Sequence, residues 1–286
     1  MKRSLSATLG AVLATAVASS VLVFSPMDTQ PAEAVTTTTK SNLVVTTYNV
    51  CALHCPKLAS WRSRARKIGA QVRAINPDVF MVQELGYRAD ANLMLSSLGS
   101  DYTMRIGSAS RYTFYNNKTM SGTSVSGKSL YRKNLKVKVP YSKRTQSSPL
   151  ALLRDKSNNE IFLFVNLHLR PYDGKKQDLD RQYEWKKIFQ ATAPLRGTYA
   201  DVWGGDMNSL SRPTKNMRGC ESDTYRSRVD AAFTKYKYGD AVFKASNRPN
   251  QTKNTLNLDP KGKRKFCSYF QLGHIYTQSS EWKVVT

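Results

Sequence analysis

Mostly apolar runs of strand length recur at Leu43 to Thr47, Val79 to Val82 and Ile161 to Val165, with a shorter one at Ala200 to Trp203. Between the first two, Trp61, Ala65, Ile68, Val72 and Ile75 fall on one helical face with basic residues opposite. This predicts a helix over 61–75, which Asn76-Pro77-Asp78 ends. A helix running directly into a buried strand is the α/β signature. Tyr87 to Leu98 predicts a short helix, and Gln177 to Ala191 a longer one that packs Trp185 and Ile188. Leu130 to Val139 alternates, with Leu135, Val137 and Val139 on one face and Lys136 and Lys138 on the other, so it reads as a strand with a solvated basic side. From Ser211 to Lys265 the chain is polar, basic and turn-rich, with one apolar patch at Ala241 to Phe243, and the pattern assigns no element there.

Residues 1–34 read as a cleaved secretory signal. Lys2 and Arg3 give the positive start, Leu9 to Phe24 is mostly apolar, and Ala32-Glu33-Ala34 puts small residues at the cleavage positions. The apolar stretch is too short and too rich in Ala and Ser for a confident membrane span, so the expected location is extracellular. Residues 35–40, rich in threonine, form a flexible lead-in, and 41–286 is long enough for one large domain. A hydrophobic content of 40% with 10% aromatics argues for a packed globule rather than a disordered polycation.

The net charge of +24 adds a partner class: polyanions such as nucleic acid, anionic lipid surfaces or cell-wall phosphates. Its basic residues cluster at Arg62, Arg64, Arg66 and Lys67, at Arg132 to Lys138, at Lys175 and Lys176, and at Lys261 to Lys265. Four cysteines follow the signal, and an exported chain meets oxidising conditions. Three pairings are open; the short Cys51 to Cys55 loop favours Cys51–Cys55 with Cys220–Cys267, and a Cys-Cys-His metal site using His54 is the competing reading.

Four short motifs carry the candidate chemistry: Thr47-Tyr48-Asn49, Val82-Gln83-Glu84, Asn166-Leu167-His168-Leu169 and Gly204-Gly205-Asp206-Met207-Asn208. Each closes one of the apolar runs, so one sheet edge could hold all of them. Glu84, delivered to a rim, suits a hard divalent ion that prefers oxygen ligands. Asp206 and Asn208 are two apart, and an extended segment would put both on one face.

The set, with its spacings, resembles the endonuclease/exonuclease/phosphatase superfamily over about residues 41 to 284. That resemblance implies an α/β four-layer sandwich of two β-sheets flanked by helices. It implies Mg²⁺- or Mn²⁺-dependent phosphodiester hydrolysis, with Glu84 and Asn49 at the metal. By the same resemblance His168 donates to a phosphoryl oxygen, Asp206 orients or deprotonates the attacking water and Asn208 positions the phosphate. The basic surface makes DNA or RNA the expected substrate of a monomeric enzyme. The resemblance fails near the end: Gly273 stands where the family has an Asp that orients its catalytic histidine, and Ser-Asp-His with its final strand is missing. His54 and His274 are possible replacements, with no orienting carboxylate evident near either. Impaired turnover is therefore expected. The alternatives are a catalytically inactive polyanion-binding protein and a phosphodiesterase on a lipid head group, the latter weakened by the lack of an apolar docking segment.

Overall fold

A computed structural model of the chain describes residues 2–6, 20–27, 42–52, 55, 58–108, 110–123, 132–172, 174–209, 228–241, 273–278 and 282–285. The lead-in at 35–40, His54, Cys220, Cys267 and Lys261 to Lys265 lie outside these residues.

In chain order the elements are β1 (Lys2–Ser6), β2 (Ser20–Met27), β3 (Leu43–Asn49), α1 (Trp61–Ile75), β4 (Val79–Gln83), α2 (Arg88–Leu98), β5 (Tyr102–Ser108), β6 (Arg111–Asn116) and β7 (Met120–Gly122). There follow β8 (Arg132–Lys138), β9 (Thr145–Asp155), β10 (Ile161–His168), α3 (Lys175–Ala191), α4 (Ala193–Arg196), β11 (Ala200–Asp206), α5 (Arg228–Lys235), β12 (Tyr238–Asp240), β13 (Gly273–Gln278) and β14 (Trp282–Val285). They build two sheets. One runs β1-β14-β2-β3-β4-β6-β5; the other runs β12-β13-β11-β10-β9-β7, with β8 also paired to β9.

Period-two alternation explains why the sheets stack. On β10, Phe162 and Phe164 join Val45, Val79 and Met81 of the opposing sheet in the central core. The intervening Leu163, Val165 and Leu167 face outward onto Trp185, Ile188 and Phe189 of α3 and Phe233 of α5. On the far side, Ala65, Ile68 and Val72 of α1 and Met94 of α2 cover Phe80, Val82 and Phe114. The result is the four-layer α/β sandwich expected from the sequence, with helices on both outer faces.

Two helix ends show local causes. Ser60 caps α1 by accepting from the Ser63 amide at 3.4 Å, and Asn76 closes the helix in the left-handed region at φ 52°. The edge of β3 is paired antiparallel with β2, whose residues belong to the expected signal segment, and β14 pairs with β2 rather than β3. An open edge on β3 would otherwise present unpaired backbone groups. Among the described residues no helix is long and apolar enough to cross a membrane.

Candidate active site

Strands β3 and β4 run parallel, as do β10 and β11, so the residues that close them gather at one end of the sandwich. The two sheets are locked together just below that end by a buried polar chain. Gln83 Nε2 donates to Thr47 Oγ1 at 3.1 Å and to Asn166 Oδ1 at 2.8 Å. Asn166 Nδ2 in turn donates to the carbonyls of Val82 at 3.2 Å and Tyr112 at 2.9 Å. Directly above, Asn49 Nδ2 donates to Glu84 Oε1 at 2.8 Å and to Asp206 Oδ2 at 2.9 Å. One amide therefore bridges two carboxylates from opposite sheets.

Glu84 follows β4 with φ 56°, a left-handed conformation costing a non-glycine residue about 1–2 kcal/mol. Its backbone is held there because the Ala52 amide donates to its carbonyl at 2.8 Å and the Leu85 amide donates to Ser110 at 3.0 Å. Such strain is characteristic of functional positions. Gly205 explains the glycine pair before Asp206: a Cβ there would sit 1.9 Å from the Leu167 carbonyl oxygen, so only glycine allows β11 to approach β10 this closely.

His168 Nε2 points into the same space, 3.5 Å from Glu84 Oε1 and 3.9 Å from Asp206 Oδ2. These are not ion pairs. Burial, aided by the Arg111 charge, pushes the imidazole down to about 3, so the ring is neutral at pH 7 and its buried Nε2 has no hydrogen-bond partner. Burial pushes the Asp206 carboxyl up to about 6, against hydrogen bonds from Asn49 and Asn208 that favour ionisation. One oxygen or nitrogen from each of Glu84, His168 and Asp206 lies within 4.8 Å of the others. The two carboxylates form an oxygen donor pair that fits a divalent cation, and the orphaned Nε2 beside them favours a guest that brings an oxygen it can donate to.

The structure thus brings together Asn49, Glu84, His168, Asp206 and Asn208. Two details differ from the sequence reading. Asn49 turns its nitrogen, not its oxygen, toward the carboxylates, and its Oδ1 accepts from the Cys51 amide at 3.1 Å. Asn208 does not share an extended face with Asp206, because β11 ends at Asp206 and Asn208 turns left-handed at φ 46°. Its amide donates to Asp206 Oδ1 at 2.9 Å and its side chain donates to the Leu169 carbonyl at 3.1 Å, clasping the ends of β10 and β11.

A third expectation is overturned. His274, fully buried on β13, does have a carboxylate beside it: Nδ1 meets Asp240 Oδ2 at 2.7 Å, and Nε2 meets the Ser209 carbonyl at 2.8 Å. Both neighbours can accept, an arrangement that favours the ring's protonated form. Burial acts to lower its pKa, but Asp240 and the Ser209 carbonyl outweigh it and hold the pKa above its ordinary value. The pair restrains the turn that follows Asp206. Gly273 itself faces Asp206 across the β11–β13 ladder, with no atom within 4 Å of where a Cβ would lie.

Arg111 escaped the sequence reading. It opens β6, is 4% exposed, and donates to Gln146 Oε1 at 3.0 Å and to the His168 carbonyl. Its charge lies near Glu84 and Asp206 and adds to the burial that keeps His168 neutral. The only signal was a charged residue opening a strand rich in aromatic residues. Arg64, grouped by sequence with a surface basic cluster, is instead spent internally: its guanidinium donates to the carbonyls of Val50, Cys51, Ala52 and Ala59, fixing the loop after Asn49. Arg62, Arg66 and Lys67 do remain exposed. The expected Cys51–Cys55 disulfide is present in that loop, with a Cα–Cα distance of 5.9 Å.

A profile of the endonuclease/exonuclease/phosphatase family matches residues 46–246, most of the chain and all four motifs. The chain belongs to this family. No curated protein matches. Among solved structures, a mannosyl-6-phosphatase of Bacteroides thetaiotaomicron is similar at 19% identity and TM-score 0.62, covering 83% of this chain and 86% of that one. A second family protein of B. thetaiotaomicron is similar at 20% identity and TM-score 0.62, covering 82% and 83%. The catalytic domain of human Nocturnin, solved with a bound sulfate, is similar at 17% identity and TM-score 0.55, covering 82% and 80%. At these identities the likeness shows the fold alone.

Proposed function

We propose that the chain is a secreted nuclease that hydrolyses phosphodiester bonds with Mg²⁺ or Mn²⁺. The observation that carries this is the convergence of Glu84 Oε1, Asp206 Oδ2 and His168 Nε2 at one sheet edge, with the Asn49 amide between the carboxylates. Glu84 and Asp206 are the groups that would hold the ion, which supplies positive charge to phosphate oxygens and acidifies a bound water. Neutral His168 donates its Nε2–H to a phosphoryl oxygen as charge builds on phosphorus. Asp206, its carboxyl raised to about 6, is ionised at neutral pH yet basic enough to take a water proton. Arg111, pinned behind His168, reinforces the burial that keeps that ring neutral and adds a fixed positive charge to the site.

The net charge of +24 favours a nucleic-acid substrate over a small phosphomonoester. A second reading, a catalytically disabled polyanion binder, is favoured by Gly273, which puts no side chain opposite Asp206 on β13 to orient an acid–base histidine. A positioned acid–base group is worth about 10²–10⁴-fold, so slow turnover is the expected state. The test is incubation of plasmid DNA and of RNA with Mg²⁺ or with chelator. Slow metal-dependent nicking supports the nuclease; salt-sensitive binding without cleavage supports the binder. Phosphate release from a sugar phosphomonoester with both nucleic acids intact would replace nuclease by phosphatase.

A further inference from the structure

Five large side chains among the described residues are exposed: Tyr87 at 73%, Tyr172 at 68%, Tyr141 at 51%, Tyr236 at 45% and Tyr183 at 37%. Their distribution is uneven. Tyr236 packs on Trp185 and Phe189 on the outer helical layer, and Tyr183 lies on α3 beneath Lys187. The other three stand on loops at the catalytic end. Tyr87 is three residues past Glu84, and Tyr172 is four past His168. Tyr141 lies in the β8–β9 turn, which shares that end because β8 pairs antiparallel with β9 and β9 antiparallel with β10.

Each of these rings is held out while its backbone is held down. The Tyr87 amide donates to Asp90 Oδ2 at 2.9 Å. The amides of Tyr141 and Ser142 donate to the two oxygens of buried Asp180 at 2.9 and 3.0 Å. Tyr172 sits at φ 72°, and its carbonyl accepts from buried Arg181 at 2.9 Å. A left-handed tyrosine with its ring in water carries strain that no packing of that ring repays. None of the three rings packs on another aromatic ring among the described residues. Each has a basic neighbour: Arg88, exposed, after Tyr87; Lys143 and Arg144, both exposed, after Tyr141; and the Arg170 guanidinium, 5.9 Å from the Tyr172 ring centre.

From this we infer that Tyr87, Tyr141 and Tyr172 form a stacking platform for unpaired bases around the catalytic edge, so that the substrate is single-stranded nucleic acid. The inference deepens the nuclease reading and rests on it. Aromatic faces bind bases regardless of sequence, and cations between them follow the phosphates. Duplex bases are already stacked on one another and offer these rings no free face.

The test measures binding by fluorescence anisotropy with chelator present, so that turnover does not interfere. Probes are a labelled oligothymidylate, a duplex with the same number of phosphates, and heparin, which has the charge without the bases. The wild type should hold the single strand more tightly than the duplex. Replacing all three rings (Tyr87→Ala, Tyr141→Ala, Tyr172→Ala) should weaken single-strand binding by about 100-fold, roughly fivefold per ring. Heparin affinity should hold, and the corresponding triple Tyr→Phe variant should bind like wild type. Equal or tighter duplex binding by the wild type, an equal loss toward heparin, or unchanged single-strand affinity in the alanine variant would each overturn the platform. Metal-dependent cleavage is scored separately. Ring-dependent single-strand binding without any cleavage sinks the hydrolase reading and leaves the platform standing, whereas cleavage with ring-independent binding does the reverse.

Discussion

Asn166→Leu tests whether the buried polar chain between the sheets, rather than apolar packing alone, sets the geometry of the catalytic edge. Asn166 is fully buried and makes three hydrogen bonds: one accepted from Gln83 and two donated to the Val82 and Tyr112 carbonyls. Leucine has a similar length and none of the polar atoms. At about 1 kcal/mol per buried bond the loss is about 3 kcal/mol, and the polar partners left behind add to it. For a chain of this size that lowers Tm by about 6–12 °C, using about 2–4 °C per kcal/mol. The assay is thermal and urea unfolding of wild type, Asn166→Leu, Gln83→Leu and the double variant. Because the Gln83–Asn166 bond is shared, the double variant should cost less than the sum of the singles by about 1 kcal/mol. Metal-dependent activity should fall in Asn166→Leu at temperatures where it remains folded, since Glu84 and His168 sit directly beyond Gln83 and Leu167. A cost under about 1 kcal/mol, or strict additivity, would refute the reasoning.

Glu184 on α3 is fully buried, neither of its carboxyl oxygens has a partner, and burial raises its pKa to about 8 despite nearby Arg111. A folded value above the unfolded one means the folded state binds the extra proton, so stability falls as pH rises between about 4.5 and 8. Glu184→Gln should therefore gain in Tm over wild type as pH rises through that window; a gain that is flat or shrinks with pH contradicts this. Below about pH 6, Asp206 holds a proton that a divalent cation must displace. Apparent Mn²⁺ affinity by calorimetry should fall about tenfold per pH unit there, and a flat profile would exclude Asp206 as a ligand. Gly273→Asp has room for its side chain beside Asp206 and should leave Tm within a few degrees while tightening divalent-ion binding. Unchanged metal affinity in a folded variant would remove Gly273 from the site.

Much of the fold was legible because its signals are local. The 3.6-residue period of Trp61, Ala65, Ile68 and Val72 marks α1 with its observed ends, and the Lys136/Val137/Lys138 alternation marks β8 within a few residues. The four motifs come together in space because each closes a strand and the parallel pairings bring strand ends together. What escaped depends on distant partners. α5 and β12 lie in a polar stretch where few residues, Val229 and Phe233 among them, reach the core. Asp240 and His274 are 34 residues apart, so no local pattern joins them. On α3 the apolar pattern marks Trp185 and Ile188, yet Asp178, Arg181 and Glu184 are buried as well, with Arg181 paired to Asp178 at 3.2 Å. Hydrophobic period finds apolar cores and is blind to buried polar ones.

The most direct measurement of metal-dependent chemistry at this edge is single-turnover cleavage of a labelled oligonucleotide with Mg²⁺ and with chelator. Wild type, Glu84→Gln, Asp206→Asn and His168→Gln should be compared, each first shown folded by its unfolding transition. The predicted result is slow cleavage that requires Mg²⁺ and drops by about 10²-fold or more in each variant. Cleavage that persists in chelator, or that Glu84→Gln and Asp206→Asn retain at the wild-type rate, would place the chemistry elsewhere and contradict the assignment.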